Sequence, residues 1–167
     1  MNLRQESRTV ALWLARRNAT VVFAESCTGG LVAASLAQVP GISDFLCGSA
    51  VTYRNQTKHG WLEVPAEHLA DPGPVSELVA REMALGVLRQ TPEANVGVSV
   101  TGHLGPRAPE HLDGLVYIAR VRRRPPPQAD DLLVNRHRLA VRGRVRRQRE
   151  AARLVLAELL DLLVHWD

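Results

Sequence analysis

The run Thr52-Tyr53-Arg54-Asn55-Gln56-Thr57-Lys58 holds a phenol and an amine five residues apart, across what reads as a strand-to-helix turn. If the chain bends there the two meet, and with a serine beside them the set can hydrolyse an amide or an ester. Serine supplies the attacking oxygen, a neutral lysine takes its proton, and tyrosine relays or orients that proton. The lysine must then lose about three pKa units from its free value near 10.4, which demands burial or a nearby cation. Lys58 is also the only lysine in the chain, against twenty arginines. A guanidinium keeps its proton in a protein while a desolvated ammonium can release it, so the one lysine points to chemistry. From this segment alone, a capping Asn55 and a solvated Lys58 are the plainer reading.

Two other segments put small polar residues where a strand meets a helix. In Glu25-Ser26-Cys27-Thr28-Gly29-Gly30, free N–H groups at a helix start attract anions, and glycines let a phosphate or carboxylate approach the main chain. An ordinary Thr or Ser N-cap with two loop glycines fits the same spacing. Val100-Thr101-Gly102-His103-Leu104-Gly105-Pro106 follows another strand, and ligands of open α/β folds gather at such ends.

The elements that must position these segments follow from periodicity and breakers. Leu3–Arg17 reads as a helix, Thr20–Ala24 as a β-branched strand, and Leu31–Val39 as a helix stopped by Pro40-Gly41. Leu46–Tyr53 reads as a strand, Asn55–Leu62 as a short helix and Pro65–Ala70 as a further helical turn. Asp71-Pro72-Gly73-Pro74 is a loop, after which Ser76 caps a helix reaching about Gln90. Asn95–Val100 is a buried strand, and His103–Asp113 a loop. Gly114–Val121 and Leu132–Val141 alternate as strands joined by a polar turn, Arg122–Pro127, and Val145–Val164 is the last helix. The expected fold is α/β: one three-layer-like domain over residues 1–167, with a mixed sheet of about five strands flanked by helices.

Composition narrows the field. A chain of 167 residues, 46% hydrophobic and 23% charged, is one soluble domain with a real core. Its longest uncharged stretch, Cys27–Ser43, is too polar to span a membrane. The start Met1-Asn2-Leu3-Arg4 leads into no apolar signal segment, so a cytoplasmic location is expected. Cys27 and Cys47 form no CxxC pair and read as reduced thiols, and the six histidines miss metal-ligand spacing. No metal and no cofactor is expected. Eleven arginines and only two acids fall between Arg120 and Arg149. That cluster could grip nucleic-acid phosphates, but with seven aromatics and no helix-turn-helix or RNP-like run, a solvated basic face that steers anions is preferred. Trp61 and Trp166 leave room for a homo-oligomer interface.

Three runs at matched spacing carry a resemblance: Ala24-Glu25-Ser26-Cys27-Thr28-Gly29-Gly30, Val39-Pro40-Gly41-Ile42-Ser43 and Val51-Thr52-Tyr53-Arg54-Asn55-Gln56-Thr57-Lys58. They closely resemble the AESCTGG, PGSS and YSNEAK-like runs of the CinA family's C-terminal domain. Val75-Ser76-Glu77 and Val100-Thr101-Gly102 with Gly105-Pro106 resemble its VSE and VTG-x-x-GP runs, so the likeness spans about Thr20 to Val121. The resemblance implies a nicotinamide-nucleotide amidase, which hydrolyses nicotinamide mononucleotide to nicotinic acid mononucleotide and ammonia with serines, a tyrosine and a lysine, without metal. Carried over by position, the catalytic set is Ser26, Ser43, Tyr53 and Lys58, with Ser43 as nucleophile and Ser26 as a relay or positioning hydroxyl. Thr28, Gly29, Gly30, Thr101 and Gly102 would hold the substrate.

The chain also departs from the family pattern. Arg107–Val116 replaces a glycine-rich stretch and a KPVGTV-like run, keeping only Gly114 and the strand after it. Arg142-Gly143-Arg144 replaces an SGDR-like turn and lacks its acid, so that Arg142 or Arg144 is the arginine expected on the substrate's phosphate or carbonyl. The alternative function is a catalytically weak CinA-like interaction module linked to competence or DNA damage.

Overall fold

The computed structural model describes residues 1–125, 128 and 130–166. Helix α1, Leu3–Arg17, begins with a reciprocal box in which the Asn2 side chain accepts from the Gln5 amide and Gln5 returns the bond. It ends where Asn18 turns left-handed at φ 48°. Strand β1, Val21–Glu25, is buried at all five positions because it lies inside the sheet with helices over both faces. The other strands are β2 (Leu46–Val51), β3 (Val96–Gly102), β4 (Leu115–Arg122) and β5 (Asp131–Arg138).

They form one sheet in the order β2-β1-β3-β4-β5. The β1–β2 and β1–β3 pairs are parallel, whereas β3–β4 and β4–β5 are antiparallel. The expected mixed sheet flanked by helices is therefore what forms. One face packs on α1, α2 (Leu31–Leu36) and α6 (Arg144–Val164), through Phe23, Val98, Ile118, Leu14, Leu36 and Leu156. The other packs on α3 (Asn55–Leu62), α4 (Ala66–Ala70) and α5 (Glu77–Arg89), through Val22, Ala24, Leu62, Met83 and Val121. Because β1, β2 and β3 run the same way, the segments after Glu25, Val51 and Gly102 emerge at one edge of the sheet.

Some boundaries differ from expectation. Helix α2 stops at Leu36 rather than Val39, since Pro40 disfavours helical backbone just before it and the chain instead makes a 3-10 turn at Ile42–Asp44. Strand β3 runs two residues past Val100, because Thr101 and Gly102 pair with Tyr117 and Val116 of β4. Strand β5 ends at Arg138, and a 3-10 turn at Glu110–Leu112 interrupts the expected loop. Of the expected Arg122–Pro127 turn, Pro126 and Pro127 lie outside the described residues.

The helix that carries Lys58 is seated by a glycine contact. A Cβ at Gly86 of α5 would fall on the Leu62 carbonyl at the end of α3. The two helices therefore meet backbone to backbone. Gly86→Ala is expected to destabilise the domain by about 1–3 kcal/mol despite alanine's better helix propensity, measured by denaturant unfolding.

Candidate active site

Three strand ends build one cleft of about 200 Å³, lined by Ser26, Tyr53, Asn55, Lys58, Thr101 and Arg144 among others. The Ser26 amide donates to the Val100 carbonyl at 3.0 Å, tying the turn after β1 to β3. The Thr52 amide donates to the Glu25 carbonyl at 2.8 Å, tying the turn after β2 to β1. From the first turns of α3, the Lys58 side chain reaches back into that junction.

Lys58 is 2% exposed. Its Nζ lies 3.0 Å from Ser26 Oγ, 2.8 Å from the Thr52 carbonyl and 3.4 Å from the Tyr53 carbonyl. No carboxylate pairs with it among the described residues. Removed from water, the amine falls from its ordinary pKa of 10.5 to about 8, with desolvation the dominant cause. A neutral amine fits the three contacts: two N–H groups serve the two carbonyls, and the lone pair is left facing the Ser26 hydroxyl. Neighbouring Cys27 does not compete as nucleophile, because burial pushes its thiol up to about 12.

Glu25, which the motif pattern alone does not single out, fixes the turn that carries Ser26. Its carboxylate accepts from Thr28 Oγ1 at 2.7 Å, from the amides of Gly30, Val32 and Ala33 at 3.0–3.1 Å, and from Ser49 Oγ at 3.1 Å. The anion cradle expected at Thr28-Gly29-Gly30 thus exists, but the chain's own carboxylate fills it. Gly29 and Gly30 adopt φ 62° and 95°, and the glycines serve that turn. Thr28, Gly29 and Gly30 do not line the cleft and instead form the turn that follows Ser26. A signal for it is present in the sequence: an acid at a strand end with donors three and five residues on.

Other expected residues move as well. Ser43 is exposed in the 3-10 turn before β2, whereas Lys58 follows β2. The six residues of that strand separate them by about 20 Å, so the structure does not bring Ser43 to the amine. Ser26 is the serine that meets it. The Tyr53 hydroxyl accepts from the Arg144 guanidinium rather than meeting Lys58, which only the Tyr53 carbonyl approaches. The Thr101 hydroxyl donates to the Pro74 carbonyl at 2.6 Å, and Gly102 is required by the close approach of Leu115 and Val116 on β4. Both shape the cleft wall. Among the described residues no group of three His, Cys, Asp or Glu side chains could hold a metal ion.

A second, basic cleft of about 840 Å³ adjoins the first, sharing Leu104 and Arg144 and lined also by Arg107, Arg142 and Arg147. Arg144 donates to the Gly105 carbonyl at 2.8 Å and so stands between the clefts, while Arg142 belongs to the basic one alone. The shortened loop here is held by Arg147. Its guanidinium forks onto both Asp113 oxygens at 2.6 and 2.8 Å and reaches the Leu104 and Val141 carbonyls. Arg147 keeps the Asp113 carboxyl below its usual range. Gln148 donates to the Thr28 carbonyl at 2.8 Å, so α6 touches the turn that carries Ser26 too.

A mixed α/β sheet with a serine–lysine pair at the carboxyl ends of its parallel strands is the class of domain this geometry defines. Comparison with known proteins narrows it: the chain belongs to the CinA C-terminal domain family, whose model matches residues 4–160. It is 46% identical over 107 residues to a CinA-like protein of Dictyoglomus thermophilum, covering 63% of this chain and 26% of that protein. To a CinA-like protein of Citrifermentans bemidjiense it is 43% identical over 114 residues, 67% of this chain and 27% of that protein. The chain thus spans about a quarter of the length of these curated relatives. Among solved structures, a CinA superfamily protein of Klebsiella pneumoniae matches with TM-score 0.89 and 30% identity, covering 99% of this chain and 100% of that one. A competence/damage inducible protein of Agrobacterium tumefaciens matches with TM-score 0.89 and 32% identity over 97% and 96% of the two chains. No helix among the described residues is long and apolar enough to cross a membrane.

The lowered Lys58 pKa has a sign that unfolding can read. Between about pH 8 and 10.5 the unfolded lysine binds a proton that the folded one has lost, so this residue's contribution to stability is full above 10.5 and lost as pH falls through 8. Its size is on the order of 3 kcal/mol. Cys27 contributes the opposite slope, losing stability between about pH 9 and 12. The difference in unfolding free energy between wild type and Lys58→Met isolates the lysine, and should rise in wild type's favour across pH 8–10.

Proposed function

We propose that the domain is an amidohydrolase in which Ser26 attacks and Lys58 is the base, and that its substrate is nicotinamide mononucleotide. One observation carries the reading: a buried amine, with no carboxylate partner, sits 3.0 Å from a buried serine hydroxyl at the floor of a cleft. The substrate's identity rests on the family resemblance, and the basic cleft beside the serine supports an anionic one.

The chemistry follows from those positions. Lys58 Nζ takes the Ser26 proton as Oγ bonds to the carboxamide carbon. The resulting ammonium returns that proton to the amide nitrogen as the carbon–nitrogen bond breaks, releasing ammonia and leaving an ester on Ser26. Water then enters, gives its proton to Lys58 and attacks the ester. The lysine reprotonates Ser26 Oγ, and the carboxylic acid leaves. The Thr52 and Tyr53 carbonyls stabilise the ammonium formed midway, which offsets its burial. The pyridine ring fits the smaller cleft beside Tyr53, and the ribose phosphate extends past Arg144 toward Arg142 and Arg107. Arg142 then takes the phosphate-binding role expected of Arg142 or Arg144, with Arg107 beside it.

Ammonia release from nicotinamide mononucleotide and from its riboside tests this. Ser26→Ala and Lys58→Arg should each lower kcat about 10³-fold or more, whereas Ser43→Ala should keep at least half the activity. Activity in Ser26→Ala with none in Ser43→Ala overturns the assignment. As the free enzyme's amine deprotonates, kcat/KM should rise with pH and reach half its plateau near pH 8. The riboside should be the poorer substrate, and Arg142→Gln should narrow that gap by raising KM for the mononucleotide alone.

A further inference from the structure

The arginine cluster sorts cleanly in three dimensions. Arg120 binds Asp161, Arg124 binds Asp131, Arg123 and Arg138 bind main-chain carbonyls, and Arg122 lies over the Trp166 ring. Arg144 and Arg147 belong to the clefts already described. Arg149 is different. With Arg153 one turn further along α6, it faces Arg4 of α1 across a groove of about 540 Å³. Arg4 and Arg8, again one turn apart, line a smaller recess that shares Arg4, Ser35 and Gln38 with that groove.

None of these four arginines has a hydrogen-bond or ion-pair partner among the described residues. The single acid lining the groove, Glu150, directs its oxygens to the Ala140 and Val141 amides at 3.2 Å. Each helix therefore carries a like-charge pair at i, i+4, and α1 and α6 pack directly against each other. Such pairs oppose folding, and facing pairs compound the repulsion. An anion between them reverses the sign. Guanidinium forks match phosphate oxygens bidentately, and four of them along two helices exceed what one phosphate can neutralise.

We infer that the groove between α1, α2 and α6, together with the recess that adjoins it at Arg4, binds an oligophosphate, a ligand with two or more linked phosphate groups, through Arg4, Arg149 and Arg153 of the groove and Arg8 of the recess. The groove shares no lining residue with the catalytic cleft, so the inference stands or falls separately from the proposed reaction.

Calorimetric titration of the full chain with inorganic tripolyphosphate, at fixed ionic strength, tests it. One saturable site is expected, weakened at least tenfold in Arg149→Gln/Arg153→Gln and in Arg4→Gln/Arg8→Gln, and weakening as salt rises. Arg136→Gln/Arg146→Gln removes the same charge from exposed positions outside the groove and should leave affinity within twofold. Binding that persists in Arg107→Gln/Arg142→Gln separates the groove from the basic cleft near the serine. Unfolding midpoints confirm that each variant is folded. No saturable binding, equal loss in the Arg136/Arg146 control, or complete loss in the Arg107/Arg142 variant overturns the inference.

Discussion

An amine shut away from water with only oxygens around it and no carboxylate to neutralise it is the constraint on which the rest of this domain turns. Burying a lysine is costly, and the cost shows in an amine that gives up its proton near pH 8 rather than 10.5. The fold supplies the setting. Three parallel strand ends converge on one edge, the Thr52 and Tyr53 carbonyls face inward, and α3 starts immediately enough after β2 that Lys58 folds back over the turn it has just left. Gly86 lets α3 sit flush on α5, and any thickening there lifts the lysine's helix away from the sheet.

Glu25 is the complement, a buried carboxylate satisfied by five donors and no cation. The two buried ionisable groups lie on adjacent turns, yet neither completes the other. Had they paired, the lysine would be held as an ammonium and would be of no use as a base. Each is instead served by dipoles: Glu25 by amides and hydroxyls of α2 and β2, Lys58 by carbonyls. Ser26 follows Glu25 directly, so the rigidity of the carboxylate's cradle is passed through one peptide bond to the attacking oxygen.

Much of this is legible in one dimension. Breakers and β-branched runs locate five strands, and the solitary lysine marks the amine without any geometry. What escapes is whatever depends on chain direction and depth. Along the chain Ser43 is preferred to Ser26 as nucleophile, and only the parallel pairing of β1 with β2 puts the two at opposite ends of a strand. The TGG turn announces an anion site correctly, but nothing in its spacing says that the anion is Glu25 rather than a ligand. The loop from His103 to Asp113 looks degraded against the family pattern. In three dimensions it is pinned by Arg147 to Asp113, a pairing across 34 residues that no local pattern encodes.

The first two turns of α6 reach several parts of the cleft's surroundings: Arg144 touches Tyr53 and Gly105, Arg147 the loop ending at Asp113, Gln148 the turn after Ser26. Ribosomes release a polypeptide from its amino end, so the serine and the lysine are in solution well before this helix exists. A growing chain consequently holds Ser26 and Lys58 before it holds the helix that braces their surroundings, and the cleft is complete only once α6 has docked.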